Sequence, residues 1–340
     1  MRILRFVLLY PFAVIYDLIT SLRNKLFDKG FLKSHKPQQF TVSIGNLSVG
    51  GSGKTPFIKY LIKNFGEKQI GVLSRGYGRK TKGFFEVTSE SLASQVGDEP
   101  KMIKDSTRAD VFVCEDRVLG AKKIYDINPR IEILLLDDAF QHRYIKPNLS
   151  VLITPFDNPF TSDYLLPAGL LRESRKGANR ADVIIVSKVP LSCSEDQLRD
   201  FELHLFSKLT TRKPLFFCHY LNSTPVNVEN KELLSGDKVL LVSGLADNNA
   251  FQKYAKSHFE VSDIFAFNDH YNYSESDVFR FFKNSLETKI LTTAKDYIKL
   301  KDICSQEQLV RVFHTETEVV FVDQKEKFKA IVLNAFEAHS

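Results

Sequence analysis

From residue 40 onward, short apolar runs alternate with stretches of helical periodicity. Strands that are covered on both faces read as continuous apolar runs, and such runs separated by helices are typical of a parallel sheet. The first series of predicted strands is 40–44, 70–73, 111–114, 131–136, 149–153 and 183–186. The pattern therefore predicts an α/β fold, with a mostly parallel sheet and helices on both of its faces.

A second, shorter series of apolar runs follows, at 238–243, 261–267, 289–292 and 319–322. It predicts a smaller C-terminal α/β domain. Between the two series, the run 213–221 reads as an isolated strand beside the turn-rich Asn-Ser-Thr-Pro. We therefore predict four regions: an N-terminal helix (1–36), a large domain (37–212), a linker (213–236) and a smaller domain (237–340).

The N-terminal segment 3–19 is apolar on nearly every side but is interrupted by Arg5, Pro11 and Asp17. A spanning helix needs about 20 apolar residues, and a secretory signal ends in a small-residue cleavage site. A helix lying in a membrane interface fits better, because Tyr10 and Tyr16 suit the headgroup level. The alternative is a buried core helix followed by a solvated basic tail.

Charge is distributed unevenly along the chain. The 47 Lys and Arg residues exceed the 41 Asp and Glu residues by six, and residues 1–36 supply five of those six charges. A basic stretch next to an apolar helix suits anionic lipid. It does not suit nucleic acid, whose binding sites interleave basic residues with exposed aromatic ones. The four cysteines include no C-x-x-C pair, which argues against a disulfide framework or a zinc site and favours a reducing cytosol.

The most specific local motif is SIGNLSVGGSGKTP, at 43–56, which follows the first strand and opens a helix. Glycines in such a loop allow successive N–H groups to turn toward phosphate oxygens, while the lysine reaches the β- and γ-phosphates and the threonine hydroxyl binds magnesium. The pattern departs from G-x-x-x-x-G-K-T only at its first position, where this chain has serine. The predicted nucleotide-binding residues are Ser48, Val49, Gly50, Gly51, Ser52, Gly53, Lys54 and Thr55.

A second motif supplies carboxylates for a metal. The buried run 131–136 is followed by Asp137 and Asp138, and a phosphate-binding loop needs an acid at this place to hold Mg²⁺. The alternative is a strand that ends in an ordinary polar turn. Together, the two motifs predict a P-loop NTPase-type sheet.

These motifs, with six others in order along the chain, resemble the tetraacyldisaccharide 4'-kinase family, which also tolerates serine at position 48. The further motifs are SRGYGR (74–79), VGDEP (96–100), LPAGLLRE (166–173), SGLA (243–246), FNDHY (267–271) and TTAKD (292–296). The resemblance implies that ATP phosphorylates the 4'-hydroxyl of a membrane-embedded tetraacylated glucosamine disaccharide 1-phosphate. The product implied is lipid IVA, and the location implied is peripheral, at the cytoplasmic face of the inner membrane.

The resemblance also implies roles for individual residues. Asp98 would be the general base and His270, from the second domain, its partner. Lys54 and Arg172 would neutralise the transferring phosphoryl group, and Mg²⁺ would lie among Thr55, Asp138 and Glu99. Each residue has a simpler interpretation: Asp98 as a helix cap, His270 as a structural histidine, and Arg172 as part of a charged helix start. Arg75 and Arg79 would bind a phosphate of the substrate or ATP, or would be solvated.

Two other functions compete with this hypothesis. One is a P-loop kinase or an ATP-dependent ligase acting on a soluble metabolite, which has no evident need for the apolar N-terminal segment. The other is a GTP-dependent switch or metal-delivery protein. This second alternative lacks the Asn-Lys-x-Asp element for guanine, since 187–190 reads Ser-Lys-Val-Pro, and it lacks a His/Cys cluster.

Overall fold

The computed structural model describes the backbone of residues 2–283 and 288–339 and the side chains of 8–283 and 288–339. Its helices are α1 Arg2–Asp28, α2 Lys54–Asn64, α3 Ala93–Val96, α4 Asp98–Ser106, α5 Arg117–Ile127, α6 Glu195–Phe206, α7 Asn249–His258, α8 Glu275–Phe282, α9 Ala294–Lys301, α10 Gln306–Leu309 and α11 Lys325–Glu337. Its strands are β1 Phe40–Gly45, β2 Ile70–Ser74, β3 Phe85–Val87, β4 Asp110–Val113, β5 Ile133–Asp137, β6 Leu149–Pro155, β7 Val183–Ser187, β8 Leu215–Asn222, β9 Lys238–Gly244, β10 Glu260–Phe267, β11 Lys289–Thr293, β12 Val312–Thr315 and β13 Thr317–Phe321.

The larger sheet has nine strands in the order β13-β8-β7-β6-β1-β5-β2-β4-β3. All neighbours are parallel except the two edge strands, β3 and β13, which are antiparallel to their partners. Along β5, Leu135 packs with Phe57 of α2 on one face, and Leu136 packs with Ala121 of α5 on the other. The predicted mostly parallel sheet with helices on both faces is confirmed.

The smaller sheet has four parallel strands in the order β10-β9-β11-β12. Consecutive residues of β9 again point to opposite faces. Leu241 packs with Phe251 of α7, whereas Val242 packs with Phe281 of α8. The predicted smaller α/β unit is therefore present.

The strand membership of the two units differs from the predicted bounds. The run 213–221 is not an isolated strand in a linker, since β8 lies inside the larger sheet between β7 and β13. The sequence pattern assigns β13 and α11 to the smaller domain, but both belong to the larger unit. Strand β13 pairs with β8, and Phe328 of α11 is fully buried against Phe57 and Phe216. The reason is physical: an apolar run shows that a strand is buried but does not specify which distant strand it pairs with.

Helix α1 packs on the larger unit through one narrow stripe. Ala13, Thr20 and Phe27 are buried at helical spacing, and the Tyr16 hydroxyl donates to the Arg172 carbonyl at 2.9 Å. The opposite face leaves large apolar side chains exposed: Leu8, Phe12, Val14, Ile15, Leu18, Ile19 and Leu22. The interpretation of this segment as a buried core helix is therefore wrong. Within the described residues, no helix has the length and apolarity required to span a bilayer.

Candidate active site

The phosphate-binding loop joins β1 to α2, as the sequence predicts. Its carbonyl groups accept hydrogen bonds from the last residue of β7, from the residue after it and from β8. Lys188 Nζ donates to the Gly51 carbonyl at 2.6 Å, and the Ser187 hydroxyl donates to the Ser52 carbonyl at 2.8 Å. These hydrogen bonds occupy the carbonyl groups of the loop. Because the first N–H groups of a helix lack intrahelical partners, the loop can donate hydrogen bonds to an anion at the start of α2.

Gly53, directly before α2, requires glycine for two reasons. Its φ is +88°, in the left-handed region, and a Cβ added there would overlap the ring of Tyr220. The hydroxyl of Tyr220 donates to the Gly53 carbonyl at 2.9 Å, so the ring is held in place and cannot easily move away. The glycine therefore fixes both the turn and its packing.

We expect Gly53→Ala to destabilise the protein more than Gly236→Ala. Both substitutions carry the left-handed backbone cost of about 1–2 kcal/mol. Gly236 has a φ of +85° but open space around its Cβ position, so it lacks the clash with Tyr220. Urea unfolding of the two variants measures the difference, and ATP binding measures the displacement of the loop. Equal losses of stability would contradict the role assigned to the Tyr220 contact.

The two acids at the end of β5 lie beside the phosphate-binding loop, because β5 pairs with β1 and places Asp137 opposite Ile44. Lys54 Nζ lies 3.6 Å from Asp138 Oδ1. Arg172 Nη1 donates to both oxygens of Asp138, at 3.0 and 2.9 Å. The structure thus brings two predicted cationic residues to the carboxylate of a third predicted site residue, Asp138.

The two neighbouring carboxyl groups have opposite electrostatics. Burial, and then the nearby carboxyls of Glu99 and Asp138, raise the pKa of Asp137 to about 7. Burial also disfavours ionisation of Asp138, but Lys54 and Arg172 outweigh it and lower the pKa of that group. Burial likewise raises the pKa of Glu99, with Lys54 and Lys295 opposing the effect. The site therefore holds several acids near a small number of cations, an arrangement that an added divalent cation would stabilise.

The side chains present fit Mg²⁺. Asp137 Oδ2 accepts from the Ser74 hydroxyl at 2.8 Å, but its Oδ1 is buried without a hydrogen-bond partner. Thr55 is also buried beside the loop. Mg²⁺ prefers oxygen ligands and takes only one or two protein carboxylates, with phosphates and waters completing the octahedron. Among residues 2–283 and 288–339, no group of three or more His, Cys, Asp or Glu side chains could hold a metal by itself.

Asp98 belongs to the larger unit and His270 to the smaller one, and the two side chains meet at the site. Asp98 is the first residue of α4, and its Oδ2 lies 3.1 Å from His270 Nδ1. Gly97 occupies the cap position, and no side chain caps this helix, so the simpler interpretation of Asp98 as a cap is wrong. Lys299 Nζ, from α9, lies 2.9 Å from the same oxygen. The smaller unit therefore contributes both a histidine and a lysine to this carboxylate.

His270 lies in the turn that follows β10. Its φ is +59°, an uncommon backbone conformation for a non-glycine residue. Lys295 Nζ is paired with Asp269 at 2.6 Å and lies 3.5 Å from His270 Nε2. The ring of Tyr77 lies 5.6 Å from the imidazole, centroid to centroid. Contacts on several sides thus hold the imidazole next to Asp98.

The two arginines of the SRGYGR motif differ from each other. The side chain of Arg79 is 2% exposed, and its Nη2 donates to the Gly83 carbonyl at 2.6 Å and to Glu115 Oε1 at 2.7 Å. It is therefore neither solvated nor open to a phosphate, and its contacts hold the glycine-rich loop. Arg75 is exposed.

Several residues at the site were not predicted from the sequence. Asn46 Oδ1 lies 3.4 Å from Lys54 Nζ, and the buried Arg117 approaches the Asp137 carbonyl at 3.4 Å. Burial lowers the pKa of Arg117, with Asp137 and Asp138 opposing the effect. The residue follows Asp116, the cap of α5, so in sequence it reads as an ordinary helix start. Asn46 lies inside the motif at 43–56 and Ser74 inside the motif at 74–79. Membership in these motifs is the sequence feature that could have indicated their place at the site.

A family model and several relatives match most of the chain. The family model described as tetraacyldisaccharide-1-P 4'-kinase matches residues 5–337. A tetraacyldisaccharide 4'-kinase from Flavobacterium johnsoniae is 36% identical over 332 residues, covering 96% of each chain. One from Bacteroides fragilis is 39% identical over 320 residues, covering 88% of this chain and 83% of the relative.

Among solved structures, the crystal structure of LpxK from Aquifex aeolicus in complex with ATP superposes with a TM-score of 0.81 at 34% identity. The match covers 98% of this chain and 99% of that one. The likeness therefore extends over both sheets and the N-terminal helix. Since the family model and the relatives also span nearly the whole length, the chain belongs to the tetraacyldisaccharide-1-phosphate 4'-kinase family.

Proposed function

We propose that this chain transfers the γ-phosphoryl group of ATP to the 4'-hydroxyl of a tetraacyldisaccharide 1-phosphate, a step of lipid A biosynthesis that gives lipid IVA. Family membership supports the reaction. The observation that carries the proposal is the pairing of Asp98 with His270 at 3.1 Å, in the same site as the phosphate-binding loop. A kinase acting on an alcohol needs one group to accept the hydroxyl proton and others to neutralise phosphoryl charge.

In this mechanism the 4'-oxygen attacks the γ-phosphorus in line, the new O–P bond forms, and the bond to the β-phosphate oxygen breaks to release ADP. Asp98 accepts the hydroxyl proton, and His270 holds the carboxylate in position. Lys54 and Arg172 are cations that already surround Asp138, and they neutralise the charge of the transferring group. No covalent intermediate with the protein is needed, so catalysis consists of positioning and electrostatic stabilisation.

We assign Mg²⁺ to Thr55, Asp138 and Asp137, with Glu99 as a further acid beside them. The unpartnered Oδ1 of Asp137 supports this assignment. When bound, the ion neutralises charge on the phosphates. Lys54 and Arg172 counter the charge of Asp138, and burial raises the pKa of Asp137 to about 7, so a bound divalent cation would also favour the ionised form of Asp137.

The function is tested by incubating the purified protein with γ-labelled ATP and tetraacyldisaccharide 1-phosphate in detergent. Simple sugars and nucleosides serve as control acceptors. We expect label in the lipid product only. Transfer to a soluble acceptor alone would instead support the soluble-metabolite kinase.

We also infer a lipid partner: the anionic cytoplasmic face of the inner membrane, bound peripherally through α1. On a helix of a soluble protein the outward face is polar, but here the packed face includes the buried Thr20 and the partly buried Asn24, and the outward face is apolar. The lysines that follow, Lys25, Lys29, Lys33 and Lys36, are exposed. An apolar face beside exposed cations is the composition that binds anionic bilayers.

Replacing Leu18, Ile19 and Leu22 together by serine should move the protein from the membrane to the soluble fraction. Each of these side chains contributes about 1.5–3 kcal/mol when fully buried, so their joint loss outweighs the remaining contacts. Vesicle flotation with anionic lipid measures the partition. The matched control is the Leu203→Ser and Leu234→Ser double variant, which changes exposed leucines outside α1. Partition that stays the same in the triple variant would contradict the interfacial helix.

A further inference from the structure

Lys299 is a buried cation in contact with both sides of the Asp98–His270 pair. Its side chain is 8% exposed and its Nζ lies 2.9 Å from Asp98 Oδ2. The same Nζ donates to the carbonyl of Tyr271 at 2.9 Å, which is the residue directly after His270. One ammonium group therefore joins the carboxylate on α4 to the backbone that carries the histidine.

The lysine is held by a rigid element. Helix α9 begins at Ala294, and the fully buried Asp296 in its first turn fixes this end of the helix. The carboxylate of Asp296 accepts from the Gly244 N–H at 3.0 Å and from the Tyr273 hydroxyl at 2.9 Å. A buried lysine is costly unless it is paired. Here the pairing is with a site residue, and the helix gives the ammonium a fixed position.

The contacts divide the two oxygens of Asp98. His270 and Lys299 both approach Oδ2, while in the described part of the chain Oδ1 accepts no hydrogen bond. A carboxylate with one oxygen held by two cationic or donor groups keeps its rotamer and leaves the other oxygen available. Oδ1 is therefore the atom that is free to receive a proton.

We propose that Lys299 is a positioning residue for phosphoryl transfer, which orients Asp98 so that Oδ1 faces the acceptor hydroxyl and fixes the turn of His270 through the Tyr271 carbonyl. The inference rests on the proposed role of Asp98 as proton acceptor. A residue of the smaller unit, Lys299, thereby sets the orientation of the Asp98 carboxylate. The competing interpretation is a structural ion pair that only holds α4 against α9.

The test is a double-mutant cycle on kcat with Lys299→Met, Asp98→Asn and the combined variant. Lys299→Met should lower kcat by up to about 10²-fold, since a displacement of about 1 Å at a reacting group has that effect, while KM for ATP changes little. In the Asp98→Asn background the same substitution should have almost no further effect on kcat. Lys301→Met, at the exposed end of the same helix, is the matched control and should retain normal turnover.

Three other results would count against the inference or against the proposed role of Asp98. If Lys299→Met lowers kcat equally with and without Asp98, the lysine does not act through Asp98 and the inference is overturned. The inference is also overturned if a folded Lys299→Met variant keeps normal kcat. If Asp98→Asn itself keeps normal kcat, the proposed function of Asp98 fails instead. Thermal unfolding and ATP binding establish that each variant is folded, and Lys299→Arg should recover part of the turnover because it keeps the charge.

Discussion

Replacing Asp98 by alanine should lower kcat by about 10²–10⁴-fold, the usual contribution of a positioned proton acceptor, while the affinity for ATP stays nearly unchanged. The reason is geometric. Asp98 contacts His270 and Lys299 rather than the phosphate-binding loop, so its removal takes away the proton acceptor without disturbing nucleotide contacts. Steady-state kinetics with the lipid acceptor, together with nucleotide binding by calorimetry, measure the two quantities separately.

A matched control for this variant is Asp126→Ala, an exposed aspartate on α5, which should leave kcat unchanged. Asp98→Asn adds a second comparison, because it keeps the shape of the side chain and removes its basicity. Turnover near that of the unmodified protein in Asp98→Ala would remove this residue from the proposed role. A parallel loss of ATP affinity would instead indicate that α4 had shifted.

Lys54→Met is expected to lower kcat by about 10²–10³-fold, the loss that follows removal of one preorganised group facing transition-state charge. Lys54 begins α2 and reaches toward Asp138 and Asn46, where the γ-phosphoryl group would lie. Methionine keeps most of the stem and removes the charge. Single-turnover kinetics with saturating ATP isolate the transfer step from nucleotide binding.

The matched control is Lys63→Met, at the exposed end of the same helix, where the side chain is 79% exposed. We expect normal turnover in that variant. A Lys54→Met protein with turnover within a few-fold of normal would show that this lysine does not act on the transferring group, and Arg172 would then be the main cation of the site.

Local chemistry could be predicted from the sequence, because the phosphate-binding loop and the two acids each lie within a few consecutive residues. Their proximity also follows from the pattern, since buried parallel strands end at one edge of a sheet. The strand pairing of β8 and β13 could not be predicted in this way. Their apolar runs indicate burial, but the choice of neighbour depends on packing among distant elements such as α11.

Long-range contacts at the site also could not be predicted from local sequence patterns. The pairing of Asp98 with His270 could be expected only from the family resemblance, and no pattern around Lys299 distinguishes it from the other lysines of α9. Arg79 shows the opposite case: a motif arginine suggested a ligand contact, but its guanidinium is buried against Glu115. Whether a charged side chain faces a ligand or a neighbouring loop depends on the tertiary fold, which spacing alone does not contain.

Helix α1 is hydrogen-bonded to the segment that carries Arg172 and Glu173. Its Tyr16 hydroxyl bonds the backbone of Arg172, and Asn24 Nδ2 donates to the fully buried Glu173 carboxylate at 2.7 Å. Truncating residues 1–26 would therefore remove a hydrogen-bond donor from a buried acid as well as the apolar surface, so loss of turnover could not be attributed to detachment alone. If α1 binds lipid as we propose, one helix would contact the bilayer on its outward face and the Arg172 segment on the other, so this single element would set the height and tilt of the candidate active site above the bilayer.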